Sequence, residues 1–87
     1  MANIQSQEKR IHRTERERVE NRGYTSSVRT YFRRLSAAVE AGDAAAADAE
    51  HRLLDSRIDR AVRHGAIHRN NGARKKARAA RLRARVS

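Results

Sequence analysis

The residues best suited to chemistry lie in the last third of the chain, GAIHRNNGARKKARAARLRARVS, from Gly65 to Ser87. Between Arg69 and Arg85 this segment carries eight Lys/Arg and no Asp or Glu. Thirteen Lys/Arg and ten Asp/Glu precede Gly65 and net only +3 of the total +11. Charge concentrated in this way, with no local acid to pair it, calls for an anionic partner, and the chemistry it offers is charge-assisted contact with phosphate. A merely solvated basic face is the alternative reading of any charge run.

Positioning these cations requires a helix. Ala73, Ala77, Ala80 and Ala84 recur at spacings of four, three and four, the repeat of one helical face. At about 100° per residue, Arg74, Arg78, Arg81 and Arg85 fall on one flank of that alanine stripe and Lys76 and Arg83 on the other. The pattern predicts alanines pressed against a neighbouring helix and arginines reaching outward. Asn70 and Asn71, just before this helix, have side chains able to cap it or to bond a base edge.

The preceding elements follow from composition and punctuation. With 87 residues, 36% of them charged, one Phe, two Tyr and no Trp, the chain makes one domain with a small core. No proline and four glycines against abundant Ala, Arg and Glu predict an all-α fold. Ser6, followed by Gln7 and Glu8, reads as the N-cap of a first helix. Tyr24, Val28, Tyr31, Phe32, Leu35 and Val39 converge on one face of it, whereas Ile4, Ile11 and Val19 drift around the wheel. Residues 1–20 are therefore expected to project as an arm, with Lys9, Arg13 and Arg16 on one side; residues 21–41 make the rest of the helix, of which about 24 to 40 join the core. Gly23 interrupts this helix and permits either a kink or the close approach of another backbone.

Ser26, Ser27 and Thr30 stand beside Arg22, Arg29, Arg33 and Arg34, a mixture of hydroxyls and cations that can share phosphate oxygens; ordinary polar helix surface is the alternative. Ala41-Gly42-Asp43 signals a helix stop and a new N-cap, giving a second helix over 44–64 with Ala47, Leu54, Ile58, Ala61 and Val62 inward. From Asp43 to His64 five acids face four arginines, so this helix is expected to turn away from the partner. Gly65 ends it, and the third helix is expected over 69–86. Short connections imply antiparallel neighbours, hence a three-helix bundle.

Other functions find little support. There is no cysteine, no glycine-rich phosphate loop and no nucleophile motif, so neither an enzyme nor a cofactor is expected. His64 and His68 are four apart, but Gly65 falls between them and no third metal ligand is evident. Neither a signal region nor a membrane span is recognisable, and the alanine stripe is too weakly apolar for a membrane-surface helix; a cytoplasmic setting is the expectation. A histone-like DNA-compacting protein would share the basic helices and is the rival reading.

The motifs carry a resemblance. The opening MANIxSxxKR, the middle NRxxxSSVRT and above all GAIHRNNGARKKARAARL resemble the bacterial small-subunit ribosomal protein family designated S twenty, over essentially the whole chain. That resemblance implies a single domain over residues 1–87, a three-helix bundle with an extended first helix, and direct binding to small-subunit ribosomal RNA early in assembly. It implies few or no protein neighbours and no self-oligomer. By motif position it points to Asn3, Ser6, Lys9, Arg10, Asn21 and Arg22 as RNA-facing in the first helix, with Ser27, Arg29 and Thr30 further along. In the last segment it points to His68, Arg69, Asn70, Arg74, Lys75 and Lys76. Gln5 and Glu8 stand where the family usually has basic or neutral residues, and Gly72 and Ala77 replace its alanine and serine.

Overall fold

A computed structural model describes the backbone of residues 3–86 and the side chains of residues 15–86. It contains three helices, α1 (Asn3–Glu40), α2 (Ala44–Arg63) and α3 (Arg69–Arg83), and no strand among the described residues. The fold is the all-α bundle with a long first helix. α1 begins at Asn3, so Ser6 lies inside the helix rather than at its cap. It also runs unbroken through Gly23, and a Cβ there would meet nothing within 4 Å, which removes close backbone approach as the reason for that glycine.

Two glycines close the helices. Gly42 has φ +70°, its N–H donates to the Val39 carbonyl at 3.0 Å, and the Asp43 N–H donates to that of Ala38 at 3.1 Å. Gly65 repeats the arrangement at φ +76°, with bonds from Gly65 to Val62 and from Ala66 to Ala61. Both are Schellman caps, which use a left-handed residue that glycine adopts without a Cβ penalty. Asp43 then caps α2, its Oδ1 accepting from the Ala46 N–H at 3.0 Å.

Cross-helix pairs fix the directions. Tyr24 stacks on His64 at 4.6 Å between ring centroids and Arg34 bonds Glu50 at 2.8 Å, so α2 runs antiparallel to α1. Lys76 pairs with Asp59 and Arg83 with Asp48, so α3 runs antiparallel to α2 and alongside α1 in the same direction. The core lies where the three meet: Val28 and Leu35 from α1, Ala47, Leu54, Ile58 and Ala61 from α2, Ile67 from the second connection and Ala79 from α3. Tyr24, Tyr31, Phe32, Val39 and Val62 pack around it. Glu15 to Glu20, which precede the packed part of α1, are all exposed.

The rotation of α3 differs from the expectation. Ala73, Ala77, Ala80 and Ala84 are exposed, and the inward face is Gly72 and Ala79, with Leu82 and Val86 packed on the same side. Leu82 and Val86 are the only residues larger than alanine with apolar side chains between Arg69 and Arg85 or just beyond, and burying them outweighs burying any one line of methyl groups. Gly72 reinforces the choice by letting α3 approach α2 at Val62 and Ile58.

Candidate nucleic-acid interface

A groove of about 630 Å³ opens between α1 and α3. Its floor is apolar, formed by Val28 and Phe32 of α1 with Ala66 and Ile67 of the connection. Arg29 and Arg33 rise from α1 on one side and Lys75 and Arg78 from α3 on the other, with Glu40 the one acid among the lining residues. Ser36 and Arg78 also line a second cleft, which continues along α3 past Arg81, Leu82 and Arg85. The two clefts make one basic seam, because residues 29, 33 and 36 of α1 and 75, 78, 81 and 85 of α3 are spaced to face each other along helices that run in the same direction.

Acids of α2 decide which cations remain available. Glu50 takes Arg34, Asp59 takes Lys76 at 2.7 Å and Asp48 takes Arg83 at 2.8 Å. The bond to Asp59 holds the Lys76 ammonium above the usual lysine range, and the bond to Arg83 holds the Asp48 carboxyl below the usual carboxylate range. Arg29, Arg33, Lys75 and Arg78 form no ion pair among the described residues. Arg78 instead lies over the Phe32 ring, 4.9 Å from its centroid, which fixes the guanidinium at the edge of the groove.

The start of α3 is organised by a histidine rather than by the asparagines. His68 is the N-cap, its Nδ1 accepting from the Asn70 N–H at 3.1 Å, so of the two roles open to Asn70 and Asn71 the capping one is taken by His68. Both asparagine side chains are exposed, and Asn71 lines the groove.

A family model described as Ribosomal protein S20 matches residues 2–84. The chain belongs to the ribosomal protein S20 family. The proteins it resembles include the Small ribosomal subunit protein bS20 of Corynebacterium diphtheriae, 50% identical with 87% of each chain covered. The protein of that name from Corynebacterium efficiens is 46% identical, with 93% of each chain covered. The one from a Cyanothece species is 48% identical over 93% of this chain and 89% of its own. The S20 family is one of structural, non-enzymatic ribosomal proteins.

In this S20-family chain the residues singled out by sequence divide into groups. Arg29, Arg33, Lys75, Arg78, Arg81 and Arg85 come together along the seam. Arg16, Arg22, Thr30, His68, Arg69, Asn70 and Arg74 are exposed outside it, and the Thr30 hydroxyl donates to the Ser26 carbonyl at 3.0 Å. Ser27 turns to the opposite side of α1, where it shares a cleft with Arg57 and Arg60, and Arg34 and Lys76 are held by α2. Asn21 is half-buried. The side chains of Asn3, Ser6, Lys9, Arg10 and Arg13 lie outside the described residues. Thr25 and Ser36 line the groove without having been expected as contacts; the signal was their helical spacing, Thr25 four before Arg29 and Ser36 four after Phe32.

Proposed function

We propose that this S20-family chain is a structural constituent of the small ribosomal subunit, and so cytoplasmic, that binds small-subunit ribosomal RNA directly and stabilises its fold during assembly. The observation that carries this reading is the α1/α3 seam, where Arg and Lys that form no ion pair among the described residues converge from two helices, while the acids of α2 pair with Arg34, Lys76 and Arg83 outside it. Cations with no acid partner retain their hydrogen-bonding capacity for phosphate. The arm over residues 1–20 adds a second RNA contact, since Arg16 and Arg18 on it are exposed. Because the whole seam is given to RNA, the chain acts as a monomer with few protein neighbours.

Salt dependence tests the reading, since each phosphate neutralised steepens the fall of affinity with salt by somewhat under one log unit per log unit of salt. Replacing Arg74, Arg78, Arg81 and Arg85 by Gln preserves helix propensity. The variant should remain helical, and its slope on folded small-subunit ribosomal RNA should drop by about two to four units. A parent-like slope would mean that this flank faces solvent. Duplex DNA of equal length should compete poorly; if it wins, the chain compacts DNA instead.

A further inference from the structure

We propose that the α1/α3 groove seats one unpaired nucleotide of the RNA, its base lodged on the apolar floor and its edge read by Asn71. The inference rests on the RNA-binding reading and deepens it. A track for phosphates alone has no use for an apolar floor, because phosphate oxygens set against hydrocarbon lose hydration without gaining a partner. Here Val28 and Ile67, 3% and 7% exposed, lie at the base of the groove with the half-buried Phe32 between α1 and α3. A volume of about 630 Å³ falls within the range of small-ligand sites, about 300–1,000 Å³.

The walls supply what a nucleotide needs beyond stacking. The Arg78 guanidinium lies over the Phe32 ring and lines the groove, and guanidinium planes are stacking surfaces for splayed-out bases. The Asn71 amide offers a donor and an acceptor side by side at the rim, free of the capping role that His68 fills. Arg29, Arg33 and Lys75 are positioned to hold the phosphates on either side. A paired base cannot enter such a groove without leaving its helix, so the occupant comes from a loop, bulge or end.

The test uses the full chain bound to small-subunit ribosomal RNA, probed with dimethyl sulfate and a carbodiimide at base edges and with hydroxyl radicals along the backbone. The parent should protect at least one unpaired base that Asn71→Ala leaves reactive, with backbone protection retained. Affinity should fall about three- to tenfold, the worth of a hydrogen bond or two, and the salt slope should not change. Identical base-edge patterns for parent and variant would overturn the proposal and leave the groove as a phosphate track. Arg29→Gln, Arg33→Gln and Lys75→Gln combined report separately on the underlying reading: unchanged affinity and slope in that variant would sink the seam as an RNA interface, and the nucleotide seat with it.

Discussion

Gly72 shows how much one residue decides. A Cβ built there would stand 2.5 Å from Cγ2 of Val62 and 3.6 Å from Cγ2 of Ile58, and a β-branched valine on a helix has little rotamer freedom with which to give way. Alanine would gain about 1 kcal/mol of helix propensity but meet an overpacking cost of about 1–3 kcal/mol. Gly72→Ala should therefore lower stability by up to about 2 kcal/mol, while the same change made on top of Val62→Ala should raise it. Urea denaturation of the four proteins checks this, and additive effects would show that α2 and α3 do not meet there. A second contrast lies at neighbouring positions on α2. Leu54 is fully buried and Leu53 is 39% exposed. Leu54→Asp should abolish the cooperative thermal transition, and Leu54→Ala should cost about 2–5 kcal/mol. Leu53→Asp should stay within about 1 kcal/mol of the parent; equal melting of Leu54→Asp and the parent would remove Leu54 from the core.

Among the elements, α2 is the one that sorts charge. Its acids reach both neighbours, Glu50 to α1 and Asp48 and Asp59 to α3, and so neutralise one side of the bundle while leaving the seam basic. These pairs are exposed, so they contribute more to orientation than to stability. The Asp48 carboxyl, held below its ordinary range first by the hydrogen bond from Arg83 and then by that cation's charge, has a definite pH signature. A carboxylate with a lowered folded-state pKa lends stability that is complete above the unfolded value and is lost as pH falls through the folded one. Melting temperatures measured from neutral to acid pH should thus decline less for Asp48→Asn than for the parent across the carboxylate range. Superimposable acid limbs would mean that Arg83 does not engage Asp48 in solution. The cap of α3 is testable in the same element-by-element way: His68→Ala should cost about 1 kcal/mol, the usual worth of an N-cap acceptor, and speed amide exchange at Asn70.

For the molecule as a whole, few large apolar side chains hold three helices, with Leu35, Leu54 and Ile58 the largest fully buried. Hydrogen exchange on the free protein should find α2 and the α1 segment facing it most protected, and Glu15 to Glu20 and the end of α3 least, with protection rising there once RNA is bound. Strong protection of both regions without RNA would refute ordering on binding. The same distribution explains what could be read from the chain. The all-α class, the stops at Gly42 and Gly65, the cap at Asp43 and the inward faces of α1 and α2 are local or periodic features, written in residues a few positions apart. The concentration of charge after Gly65 was equally legible. The face that α3 turns inward was not, because alanines at 73, 77, 79, 80 and 84 spread methyl groups around much of the helix and leave its periodicity nearly degenerate. Only the tertiary structure resolved it, by setting Gly72 against Val62 and Leu82 against the core; that rotation then fixed which cations meet α2 acids and which line the groove, since both depend on helices brought together from distant parts of the chain.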